Sequence, residues 1–167
     1  SRKLHYTTDV NTIYDLRNAA FQLYENGGID MICVDYIQLM EGAKKRVNRQ
    51  EEVADISRGL KRLAQEMDIP IIALSQLSRT NVREKRRPQM SDARESGAIE
   101  QDANLFIILH EPLKEELTTL KMKSTYDSLV NRRMKLLTVY LDKNRQGKKG
   151  YFDLAFDGEH MRFMTIS

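Results

Sequence analysis

Little in this sequence suits a membrane, secreted or zinc protein. There is one cysteine in 167 residues, which excludes an internal disulfide framework. That residue, Cys33, sits inside an apolar run and reads as a small core side chain of a protein in a reducing compartment, not as a nucleophile. No apolar run approaches the roughly 20 residues of a membrane span. The opening "SRKLHYTTDV" has no apolar segment behind its basic residues, so no signal peptide is read. CxxC and HExxH spacings are missing, and His5, His110 and His160 lie far apart, so no zinc site is expected. No serine stands in a GxSxG context, and there is no internal repeat or low-complexity tract. What is present describes a soluble globular chain with a well-charged surface: 41% apolar and 31% charged residues, with a net charge of +3. Its length is one domain's worth, enough for a real core. The charge distribution says more than its modest sum.

The grammar of the chain is mixed. "KLHYTT" is a candidate strand, and Asn11 is placed to cap a following helix with Ile13, Leu16, Ala20 and Leu23 on one face and Gly27–Gly28 ending it. "IDMICVDYIQLM" lacks period-2 alternation, so its first half predicts a fully buried strand of a parallel sheet. The clearest helix is 49–67, capped by Asn48 with Glu51 three residues on; Val53, Ile56, Leu60, Leu63 and Met67 make its apolar stripe. "IPIIALS" and "LFIILH" read as two more buried strands. Buried strands separated by amphipathic helices predict an α/β fold with a mostly parallel sheet flanked by helices. The end differs: "KLLTVYLDKN", "GYFDLAF" and "HMRFMTI", joined by "RQGKK" and "DGE", predict antiparallel hairpins. The charged, weakly periodic segment 111–133 reads as a partly helical insertion or a mobile loop within a single domain spanning 1–167.

Several residues carry chemistry, each with a plainer alternative. Asp35 ends an apolar run, and a lone buried charge costs several kcal/mol unless it is paired or meets a metal. Ligands gather at the C-terminal ends of strands in α/β sheets, where an acid commonly holds Mg2+ near a nucleotide, often through water. The alternative is a local cap or salt bridge. Gln76 follows the second buried strand at the same sheet edge; its amide suits a phosphate or a held water, or belongs to an ordinary loop. Arg79, Arg83, Lys85, Arg86, Arg87 and Arg94 lie on a loop marked by Pro88 and Gly97. Such cations suit a phosphate backbone without reading bases, and the loop has no aromatic residue for stacking. Equally, it is a solvated charged loop. Lys44, Lys45, Arg46 and Arg49 form a second basic loop after the Asp35 strand. Lys143, Arg145, Lys148 and Lys149 sit at a hairpin tip, where charge either blunts a sheet edge or reaches a neighbouring subunit's phosphates. Glu95, Glu100 and Asp102 keep open a two-metal nuclease, which needs converging carboxylates.

Together "IDMICVDYIQLM", "RQEEVADISRGLKRLAQEMDIPIIALSQLSR", "RRPQMSDARESGAIEQDAN" and "DKNRQGKKG" closely resemble the C-terminal motor domain of DnaB-type replicative DNA helicases, in the same order over nearly the whole chain. The resemblance implies a RecA-like P-loop NTPase core, here partial, with ATP and Mg2+ as cofactors. It also implies a homo-hexameric ring around single-stranded DNA, and a primase and a helicase loader as partners of the parent protein in the cytoplasm of a bacterium, or in a phage or plastid nucleoid. By the same resemblance Asp35 is the Walker B aspartate that positions Mg2+ through water. Gln76 is the sensor linking the γ-phosphate to the DNA loop. Arg94, Glu95 and Gly97 lie where the pore loop touches the DNA backbone, Gly97 through its amide. Lys143 and Arg145 match the finger that reaches the ATP of the adjacent subunit. A non-catalytic single-stranded-DNA-binding module and a RecA-type recombinase ATPase are the alternatives; "RESGAIEQDA" argues against the recombinase.

The family's Gly-rich phosphate loop, ending Gly-Lys-Thr/Ser, does not occur here. "RQGKKG" has the wrong glycine spacing and a hairpin context. The expectation is a truncated, proteolysed or split motor, with an empty slot between the "IIALS" and "LFIIL" strands and without the amide cradle that anchors β- and γ-phosphates.

Overall fold

The helix over residues 49–67 is the part of the fold most directly dictated by local sequence. The computed structural model describes residues 4–42, 48–78, 80–93 and 96–166; in it, helix α2 spans Arg49–Met67, with Asn48 accepting from the Gln50 N–H and Asp68 ending it in the left-handed region. All five residues of its apolar stripe are buried, each contributing about 1.5–3 kcal/mol. Helix α1, Ile13–Glu25, is capped by Thr12 and not by Asn11. Thr12 and Asp15 exchange backbone N–H contacts at 3.1 and 3.0 Å, a reciprocal box that needs an acceptor at both positions and so favours the Thr12 register. Gly28 then donates back to the Tyr24 carbonyl at 3.0 Å with φ +81°, the conformation glycine adopts at least cost.

The chain groups into two compact units. One consists of Ser1–Gln76 with Ala93–Ala103, the other of Leu77–Asp92 with Asn104–Ser167. In the first, strands β1 (Ile32–Val34) and β2 (Ile71–Ala73) pair in parallel, with Ile32 opposite Ile71 and Val34 opposite Ala73. Ile32 and Ile71 pack beside Ala20, Leu63 and Met67, the core that α1 and α2 contribute. The short helix α4 (Ser96–Asp102) joins α2, where Ser57 Oγ donates to Asp102 at 2.8 Å.

In the second unit four antiparallel strands run in the order β3 (Leu105–His110), β4 (Lys135–Asn144), β5 (Gly150–Asp157) and β6 (Arg162–Thr165). Helix α5 (Leu120–Asn131) packs on β4, around Leu117, Leu129, Leu136 and Ala155. It occupies much of the segment read as an insertion. His110 closes β3 against the 3-10 turn at Lys114–Glu116, its Nε2 2.6 Å from Glu116 Oε2. Helix α3 (Thr80–Arg83) precedes the charged loop. The fold is thus α/β, with a parallel pair and antiparallel hairpins.

Three local expectations are corrected. Of the candidate strand "KLHYTT", the described residues 4–8 form no strand; further on, Thr12 makes an isolated parallel bridge with Glu41. Cys33 is exposed, not core. The strands taken as fully buried are not: in β2 both Ile72 and Ala73 are exposed, and in β3 Leu105, Ile107 and Leu109 are more than half exposed while Phe106, Ile108 and His110 point inward. Successive residues of a strand face opposite sides, so β3, buried on one face, leaves its alternate residues outside. β2 pairs with β1 and β3 with β4, each along one edge.

Candidate functional site

The parallel register decides what meets at the sheet edge. Val34 opposite Ala73 brings the residues that follow, Asp35 and Gln76, to the same C-terminal edge of the β1–β2 pair, where α/β folds bind ligands. Asp35 is exposed. Among the described residues its carboxylate has no hydrogen-bond or ion-pair partner, so neither a cap nor a salt bridge accounts for it there. The peptide that follows it, Asp35–Tyr36, is cis. An open carboxylate at a strand end fits Mg2+, which takes one or two carboxylates and otherwise water and phosphate oxygens; no three His, Cys, Asp or Glu side chains converge as a metal cluster among the described residues.

The segment after Asp35 is held from behind. Arg49 donates to the carbonyls of Gln38 at 2.8 Å and Met40 at 3.2 Å and pairs with Glu52. Glu52 accepts the Gly42 N–H at 2.6 Å. That amide, and then Arg49, hold the Glu52 carboxyl below the ordinary carboxylate range. Arg49, read from sequence as part of a basic loop, is therefore an anchor of this turn. Lys44, Lys45 and Arg46 lie outside the described residues. Gln38, which sequence reading passed over, bridges the segments after β1 and β2: its Nε2 donates to Ser75 Oγ at 2.9 Å and its Oε1 accepts the Gln76 N–H at 3.3 Å. A glutamine three residues past an aspartate has no distinctive local signal, so only the strand pairing reveals it.

Of the loop cations, Arg83 is exposed at the end of α3. Arg86 is engaged: it forks onto Asp92 at 2.7 and 2.8 Å and its Nε reaches Glu84 at 2.7 Å. Asp92 is 4% exposed, and Arg86 holds its carboxyl below the usual range. Arg87 lies 4.7 Å over the Tyr140 ring and 3.4 Å from Asp142. Arg79, Arg94 and Glu95 fall outside the described residues. Gly97, on α4, is exposed, and a Cβ there would meet nothing within 4 Å.

Lys143 stands near the end of β4 opposite Phe106, and Arg145 begins the hairpin tip, its N–H donating to the Asn104 carbonyl at 3.0 Å. Asn144 shapes that tip by accepting from the Gln146 N–H at 3.1 Å. A Cβ on Gly147 would come within 2.7 Å of Asn144 Nδ2, so the Asn144 side chain would have to shift.

Among the described residues no helix is long and apolar enough to cross a membrane. Similarity to known proteins is extensive. The chain is 38% identical over 156 residues to the replicative DNA helicase DnaB of Geobacillus stearothermophilus, covering 92% of this chain and 32% of that protein. It is 50% identical over 105 residues to a probable plasmid replicative DNA helicase of Chlamydia psittaci, covering 62% of this chain and 22% of that one. A solved structure of a DnaB-like replicative helicase, described with its interactions with primase, superposes with a TM-score of 0.78 at 30% identity over 97% of this chain and 37% of its own. A second solved structure, an ATPase domain, gives the same score, identity and coverage of this chain, with 54% of its own length matched. The chain spans about a third of the length of its DnaB relatives. With residues 4–165 matching the DnaB-like helicase C-terminal domain, this chain belongs to that family.

Proposed function

We propose that the chain is the distal part of a replicative helicase motor that couples ATP hydrolysis to movement along single-stranded DNA and to duplex unwinding. The observation that carries this is the β1–β2 register: one exposed carboxylate, with no partner among the described residues, and one amide side chain lie at the same strand-end edge. In this reading Asp35 holds Mg2+ through water, and Gln76 donates to the γ-phosphate. Bound magnesium would supply charge neutralisation on the phosphates. Lys143 and Arg145 extend from the hairpin to the nucleotide of the next subunit in a homo-hexamer. The backbone of single-stranded DNA is gripped by Arg83, by the Gly97 amide and, beyond the described residues, by Arg79 and Arg94, with Glu95 lying in the same pore-loop stretch. Arg86 and Arg87, tied to carboxylates and a tyrosine ring, shape the loop more than they grip. Primase and a loader are partners of the complete motor.

The sequence has no Gly-Lys-Thr/Ser phosphate loop, so the chain by itself neither binds ATP tightly nor hydrolyses it. The test replaces the matching segment of the Geobacillus stearothermophilus helicase with residues 4–165. The hybrid should hydrolyse ATP with stimulation by single-stranded DNA, and Asp35→Asn should lower turnover at least about a hundredfold, as loss of a group stabilising transition-state charge does. A hybrid without ATPase activity, or one indifferent to Asp35→Asn, overturns the reading. So does turnover by the isolated chain that Asp35→Ala abolishes.

A further inference from the structure

The backbone ladder between the segments after β1 and β2 outlasts the strands by two bonds. The Leu74 N–H donates to the Val34 carbonyl and the Ile37 N–H to the Leu74 carbonyl, both at 2.9 Å. The first segment then coils into the 3-10 turn Ile37–Leu39, which rotates its amides out of the ladder direction. A side chain takes over. Gln38 Nε2 donates to Ser75 Oγ at 2.9 Å, and the Gln76 N–H donates to Gln38 Oε1 at 3.3 Å. A single primary amide thus continues the pairing for two more residues and ends on the backbone of Gln76 itself. The Gln38 carbonyl is in turn held by Arg49 of α2 at 2.8 Å.

We propose that Gln38 is a positioning residue that sets the place of Gln76 relative to Asp35, so that the amide and the carboxylate address one phosphate group together. The proposal rests on the nucleotide reading of this edge. Gln38 acts through Gln76 and touches no reacting atom. Its donor and acceptor ends are used with opposite polarity. Gln38→Leu keeps the bulk and loses both contacts. Gln38→Glu keeps both, because the Ser75 hydroxyl turns to donate to the carboxylate.

Two measurements test it. In the chain itself, amide hydrogen exchange followed by NMR should show the Gln76 N–H exchanging roughly two- to tenfold faster in Gln38→Leu, as expected for loss of one hydrogen bond. The Leu74 N–H should be unaffected and Gln38→Glu close to the parent. If Gln38→Leu does not fold, Ser75→Ala removes one end of the bridge and is read the same way. Unchanged Gln76 exchange overturns the proposal. In the hybrid helicase, Gln38→Leu and Gln76→Ala should be non-additive in DNA-stimulated ATP turnover, the double variant being no slower than Gln76→Ala, and Gln38→Glu should recover most of the loss. Additive losses overturn the proposal. A parent hybrid without ATPase activity overturns the helicase reading instead, while the exchange measurement still decides whether Gln38 holds Gln76.

Discussion

Arg86→Ala separates two roles that are indistinguishable in the sequence, a DNA contact and a loop scaffold. The guanidinium makes two parallel bonds to Asp92 at 2.7 and 2.8 Å, and the carboxylate keeps one further bond, from the Gln89 N–H at 2.7 Å. Removing one partner of a buried ion pair costs roughly 3–5 kcal/mol. The lower end applies here, about 3 kcal/mol, because the arginine side chain is 30% exposed and the Gln89 amide remains. With a urea slope of about 2 kcal/mol per M, the unfolding midpoint at pH 7 should fall by about 1.5 M when followed by circular dichroism. Arg83→Ala, at an exposed site, should change stability by no more than about 0.5 kcal/mol. The pH dependence adds a second check. Arg86 lowers the Asp92 pKa in the folded chain, so the stability this pair contributes is present above the ordinary carboxylate value and is lost as pH falls through the lower folded one. The gap between parent and variant should therefore close in acid. Midpoints agreeing within about 0.3 M at pH 7, on that same slope, together with weakened binding to single strands, would return Arg86 to the DNA surface and refute the scaffold role.

Acid sensitivity should extend to both units. Glu52, lowered by the Gly42 amide and Arg49, and Asp157, lowered by His160, are depressed like Asp92, so each stabilises the fold above its ordinary pKa and loses that contribution as pH falls through its lower folded value. Thermal scans should hold steady from pH 7 to about 5 and decline below about 4, near the ordinary carboxylate pKa values; a decline complete by pH 5 would contradict this. Gly59→Ala tests the closeness of α1 and α2. Its Cβ would sit 2.5 Å from Ile13 Cγ1, an overpacking cost of about 1–3 kcal/mol that exceeds the gain of up to about 1 kcal/mol from helix propensity. The melting temperature should fall, and Ile13→Ala in the same chain should recover part of the loss; a rise in the single variant would show that the helices are not so close.

Legibility followed the range of the interactions. Helix 49–67 was readable to the residue because its stripe, its Asn48 cap and its length are all local. The same holds for Lys135–Asn144, bounded by turn residues and paired with its neighbour in sequence. Thr12 displaced Asn11 as cap because a box needs an acid three residues on, a condition that selects one register. The candidate site residues divide along the same line. Asp35 and Gln76 stood out because acids and amides that end apolar strands are conspicuous. Gln38 was passed over and Arg49 was read only as a loop cation, since their partners lie 38 and 11 residues away along the chain.

By itself the sequence determined the long helix 49–67, the C-terminal hairpin strands and the family to which the motifs belong. Those are properties of periodicity, capping and residue order, which each segment carries with it. Only the tertiary structure decided which loop charges are occupied and which face solvent, that Cys33 and alternate strand residues lie open, and that one glutamine bridges the ends of two strands. An arginine carries the same charge whether it meets a phosphate or a buried aspartate, and only the surrounding packing chooses between them.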